Sequence, residues 1–63
     1  MIEQLPVKNW RQIRKMTQAE VADRLGVNPK TVIRWEKEET ELSNLALYAL
    51  AKLYEIEIDQ IKV

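Results

Sequence analysis

The chain contains no cysteine and no histidine. Without thiols there is no disulfide framework and no thiolate metal site. Without imidazole the commonest metal ligand and the commonest general base are missing. No carboxylate constellation replaces them, so neither an enzyme nor a bound metal or other cofactor is expected. Long apolar runs are also lacking. Nothing approaches the ~20 residues that span a bilayer, and the opening "MIEQLPVKNW" has no signal-peptide core. These absences point to a cytoplasmic protein with no membrane partner. At 63 residues the chain reads as one small domain, residues 1–63, with a limited core. That length leaves no room for a separate ligand-sensing module, and no small-molecule ligand is expected.

Net charge is zero, with ten Lys/Arg against ten Asp/Glu. The sum hides a division. Residues 1–37 carry a net +4 and residues 38–63 a net −4. Such polarity can turn one face toward a polyanion while the other repels it. The competing reading is an ordinary surface whose charges happen to segregate.

Glycine occurs once, at Gly26, and proline twice, at Pro6 and Pro29. The few punctuation marks fall where helices begin and end. Thr17 with Glu20 has the spacing of a capping box, flanked by Met16 and Val21 at the staple positions. Asn28 followed by Pro29 starts the next helix, flanked by Val27 and Val32. Ser43 repeats the pattern with Leu42 and Leu47, and Glu57, a poorer cap, repeats it with Ile56 and Ile61. The reading is all-α: a compact five-helix bundle with helices near 6–14, 18–25, 29–37, 44–54 and 58–61. Gly26 stops the second helix by taking the left-handed conformation without a Cβ clash. Only Gly26, Val27 and Asn28 then connect the second and third helices. So short a turn holds them at a steep angle, as in a helix-turn-helix over residues 17–37.

The stretch "TQAEVADRLGVNPKTVIRWE", with Thr17-Gln18, Glu20, Ala22, Gly26-Val27, Thr31-Val32 and Arg34-Trp35-Glu36, resembles the helix-turn-helix family of lambdoid phage repressors and Cro proteins. The likeness runs on through "ETELSNLALYALAKLYEIEIDQI" and covers roughly residues 5–61. The resemblance implies a five-helix, lambda-repressor-like domain that binds operator DNA, usually as a dimer. It implies that the second helix crosses the backbone while the third enters the major groove. It implies that Gln18 contacts phosphate and braces the first residue of the third helix. That residue is Pro29 here, which cannot read a base by hydrogen bonds, so the burden moves to Lys30 and Arg34. It also implies that Arg11 pairs with Glu36 and so orients the third helix; two ordinary surface charges are the alternative.

Helical spacing turns Val32, Trp35 and Glu36 toward the body, and Lys30, Ile33, Arg34 and Lys37 outward. Arg34 can place a bidentate fork on guanine O6 and N7, and Lys30 can donate to the same acceptors. Ile33 suits a thymine methyl, or else lies half buried between the third and fourth helices. Asn28 caps, and in the family such a residue sometimes touches a base or phosphate. Candidate phosphate contacts are Thr17, Gln18, Thr31, Lys37 and Ser43, though Thr31 has the simpler reading of filling space. The loop "KEETEL" brings Glu38, Glu39 and Glu41 close to that edge, which predicts modest affinity and a steep dependence on salt.

The fourth helix is apolar on too many sides. Leu47, Leu50, Ala51 and Tyr54 form a core stripe. Leu45, Ala49 and Leu53 form a second, which with Ile58 and Val63 suggests a homodimer interface. The alternative is that "MIEQL" folds back over it. The leading functional reading is a Cro-like regulator of transcription, a repressor or an activator, on a palindromic operator in double-stranded DNA. Its setting would be the nucleoid of a bacterial or phage-infected cell. The other is a protein-interaction module on the same scaffold, such as an antitoxin or antirepressor.

Overall fold

A computed structural model describes residues 3–37 and 42–62. Within them the chain forms four α-helices: α1 (Val7–Ile13), α2 (Gln18–Leu25), α3 (Pro29–Trp35) and α4 (Asn44–Tyr54). The expected fifth helix is a single 3₁₀ turn, Ile58–Gln60. It stops because Ile61 leaves helical space, at φ −92° and ψ 121°. There Ile61 is buried and forms a parallel bridge with Leu5. The bridge consists of Leu5 N–H on the Gln60 carbonyl (3.0 Å) and Lys62 N–H on the Leu5 carbonyl (2.9 Å). The segment before α1 thus lies along residues 60–62. Met1, Ile2, Val63 and the acidic loop residues Glu38, Glu39 and Glu41 lie outside the described residues.

The helices start where the caps place them. Thr17 Oγ1 accepts the Glu20 N–H at 3.1 Å, and Glu20 Oε1 accepts the Thr17 N–H at 2.9 Å. That second bond, chiefly, holds the Glu20 carboxyl below its ordinary pKa. Asn28 Oδ1 accepts the Lys30 N–H at 2.8 Å, and Ser43 Oγ accepts the Ala46 N–H at 3.2 Å. Each such cap contributes about 1 kcal/mol.

The stops share one backbone device. After α2, Gly26 N–H donates to the Asp23 carbonyl and Val27 N–H to the Ala22 carbonyl, with Gly26 left-handed at φ 69°. This is a Schellman turn. Lys15 and Met16 repeat it on α1, bonding to the Gln12 and Arg11 carbonyls, and Glu55 and Ile56 repeat it on α4, bonding to the Lys52 and Ala51 carbonyls. Lys15 and Glu55 both sit at φ 57°. A side chain held there costs roughly 1–2 kcal/mol. In all three turns the apolar residue after the left-handed one packs on the core, and the residue after that begins the next helix or turn. α3 alone ends differently. Glu36 stays right-handed, its N–H shared between the Val32 and Ile33 carbonyls.

The core gathers Val7 and Trp10 from α1, Val21 and Ala22 from α2, Val32 from α3, and Leu50, Ala51 and Tyr54 from α4, closed by Ile61. Trp10 Nε1 donates to the Gln60 carbonyl at 2.9 Å and so fastens α1 to the chain end. No helix among the described residues is long and apolar enough to cross a membrane.

A Cβ built on Gly26 meets no atom within 4 Å, so only backbone strain opposes a side chain there. Gly26→Ala is expected to lower stability by roughly 1–2 kcal/mol, read as an earlier urea midpoint with an unchanged slope.

Candidate nucleic-acid interface

α3 has one buried side and one open side. Val32 is fully buried, and Trp35 is half buried against the core. On the other side Lys30, Ile33 and Arg34 are exposed, as are Asn28 ahead of the helix and Lys37 after it. Thr31 is half buried. Ile33 is 43% exposed, an unusual position for isoleucine on a face that otherwise carries cations.

The end of α3 is held by a side-chain cluster. Arg11 Nε donates to Glu36 Oε2 at 2.7 Å, and its second amino group reaches Oε1 at 3.3 Å. The third nitrogen donates to the Met16 carbonyl at 2.9 Å. Gln18 Nε2 donates to the same Glu36 Oε1 at 2.9 Å. The Arg11 and Glu36 side chains are only 12% and 5% exposed. One carboxylate thus joins α1, the start of α2 and the end of α3. Gln18 therefore braces the last turn of α3, whereas the resemblance implies its first residue. Pro29 has no N–H and no polar side chain to receive a brace, so the amide finds the buried carboxylate.

Tyr54 lies beneath this cluster, fully buried, and its hydroxyl has no hydrogen-bond partner among the described residues. Burial, with a smaller contribution from the nearby Glu36 charge, pushes its pKa up to about 12. Arg14 Nε donates to the Tyr54 backbone carbonyl at 2.6 Å, satisfying the C-terminal end of α4. The place of Tyr54 in the core follows from the helical stripe it shares with Leu50 and Ala51, whereas the Arg14 bond has no signal in the sequence, because it joins residues 40 apart in α1 and α4.

The other candidates fall as follows. Thr17 and Ser43 are exposed and use their oxygens as helix caps, which leaves each hydroxyl proton free to donate. On α4, Leu45 is 81% exposed and Ala49 half buried, whereas Leu53 and Ile58 pack against the core. The second apolar stripe is therefore divided, its open end being Leu45 together with Tyr48, 65% exposed. A shallow cleft of about 210 Å³, lined by residues that include Val27, Trp35, Leu45 and Ala49, adjoins it.

Among the described residues Arg11–Glu36 is the only ion pair. The open side of α3 therefore carries cationic charge that no described carboxylate neutralises. Two helices set by a three-residue turn, the second presenting such a face, define a helix-turn-helix of the DNA-binding kind. The helix-turn-helix family model matches residues 7–61. The chain belongs to this family, that of the lambda repressor and Cro type, whose members are DNA-binding regulators of transcription. No match is found among curated proteins or solved structures.

The Tyr54 hydroxyl yields a pH test. Its folded pKa lies above the unfolded value near 10, so the stabilisation is complete below pH 10 and is lost as pH rises through about 12. Against a Tyr54→Phe control, the wild type is expected to lose up to roughly 1.4 kcal/mol per pH unit across that window, measured by urea titration at each pH. At neutral pH the control should be no less stable, since it deletes a buried hydroxyl without a partner.

Proposed function

We propose that this chain is a sequence-specific repressor that occupies operator DNA, residues 1–63 acting as one unit with α3 in the major groove. The observation that carries the reading is the orientation of α3: Val32 buried, Glu36 locked to Arg11, and Lys30 and Arg34 outward. Arg34 reads guanine through O6 and N7, Lys30 donates to a neighbouring acceptor, and Ile33 covers a thymine methyl. Asn28 has committed Oδ1 to its cap and offers its amide nitrogen to a base. Thr17, Gln18, Thr31, Lys37 and Ser43 contact phosphates and set the register. The Arg11–Glu36 pair orients the reading helix. Access to an operator puts the protein beside the chromosome, in the bacterial or phage-infected cytoplasm.

The protein acts as a homodimer through the outer face of α4, with Leu45 and Ala49 central and Leu53 and Ile58 at the margin. Two-fold symmetry then spaces the reading helices about 34 Å apart on a palindromic site.

A second reading, a protein-interaction module, draws on the zero net charge and on exposed Leu45 and Tyr48. Titration of random duplex at low and moderate salt separates the two. Binding that fades steeply with salt is expected, and no binding at either salt favours the interaction module. Selection of bound duplexes from a random pool would then report half-site sequence and spacing.

Arg34→Ala is expected to weaken the selected operator by ~1–3 kcal/mol while affecting random duplex much less. An equal loss on both would demote Arg34 to a phosphate contact. Leu45→Glu should shift sedimentation from dimer to monomer. Because Leu45 is 81% exposed, the same change should alter monomer stability by no more than about 0.5 kcal/mol.

A further inference from the structure

Three Schellman turns stop α1, α2 and α4, yet only one of their left-handed residues is a glycine. Lys15 and Glu55 hold Cβ-bearing side chains at φ 57°, where glycine would sit without strain. The reason for a lysine must lie in what its side chain does. A cation suits the C-terminal end of α1. The chain does not follow that rule, however, because Glu55 places an anion at the same point of α4.

Position offers a better reason. Lys15 is exposed and, among the described residues, makes no ion pair. It stands three residues before Gln18, and three Cα steps span at most about 11 Å. Gln18 in turn is bonded to Glu36 at 2.9 Å, next to exposed Lys37. The backbone of Lys15 therefore lies close to the edge where α2 begins and α3 ends, and its exposed side chain is free to turn toward that edge. A strained residue at such an edge, where a relaxed one is available, motivates a functional hypothesis, for which Glu55, at the same φ, serves as the control.

Building on the DNA-binding reading above, we propose that Lys15 is a DNA backbone contact, and that its left-handed strain is retained to hold an ammonium beside a phosphate. The contact carries no sequence information. It anchors the edge from which α3 is inserted.

The test measures binding of the full chain to a random duplex by fluorescence anisotropy across a salt series. Wild type is compared with Lys15→Gly, Lys15→Asn, Lys15→Arg and Glu55→Gly. Lys15→Gly and Glu55→Gly should both melt above wild type. Lys15→Gly and Lys15→Asn should lose affinity roughly 3–10-fold at low salt, with the slope of log affinity against log salt shallower by about 0.9. Lys15→Arg should keep both, and Glu55→Gly should keep the slope. If wild type binds and the Gly and Asn variants show its slope, the proposal is overturned while the DNA-binding reading stands. A Lys15→Gly protein that melts below wild type removes the strain premise and overturns it too. If wild type itself ignores random duplex at low salt, both readings fall.

Discussion

The arrangement of this molecule depends on one carboxylate. Glu36 closes a helix only seven residues long, Pro29–Trp35, about 10 Å from end to end. So short a helix has little stability of its own. Its beginning is fixed by Asn28 and its middle by buried Val32. Its end has no left-handed stop, and Arg11 and Gln18 supply the restraint. A pair this buried adds little net stability, because desolvation offsets the attraction, yet removing one partner costs about 3–5 kcal/mol. What it does in the fold is tie the end of α3 to α1 and to the start of α2. Arg11 also binds the Met16 carbonyl, so the same guanidinium positions the entry to α2.

Around that clamp the fold is closed by contacts distant in sequence. Trp10 and Leu5 both bond to the Gln60 carbonyl, drawing the two ends of the described chain together behind α1. Tyr54 fills the space between the clamp and α4 at the cost of a hydroxyl with no partner among the described residues. The outward face of α3 is thereby left without polar duty in the fold: among the described residues the Lys30 and Arg34 side chains make no hydrogen bond or ion pair and are exposed.

Much of this was legible in the residues. Thr17, Asn28 and Ser43 announced their helices because capping is local chemistry, decided within four residues. Gly26 announced its turn for the same reason. The inward and outward sides of α3 followed from helical period. The fifth helix did not form, because Ile61 is claimed by a strand-like pairing with Leu5, and no local pattern reveals a partner 56 residues away. The resemblance implies that Gln18 braces the first residue of α3, but that residue is Pro29, which offers nothing to a side-chain amide, and the amide donates to the Glu36 carboxylate instead. No glycine marks Lys15 and Glu55 as left-handed residues, yet Met16-Thr17 and Ile56-Glu57 repeat the apolar-then-cap pair of Val27-Asn28 and carry the same signature. The site residues that depend on DNA have their placement from the fold and their roles from the proposal.

The Schellman turns also bear on where the chain can change length. In each, three consecutive residues finish one element and start the next: Lys15 to Thr17, Gly26 to Asn28, Glu55 to Glu57. An added or deleted residue there would rob one helix of its stop or the other of its cap, and would rotate everything downstream. Each turn therefore fixes the chain length at its own place, and with it the angle between the two elements it joins.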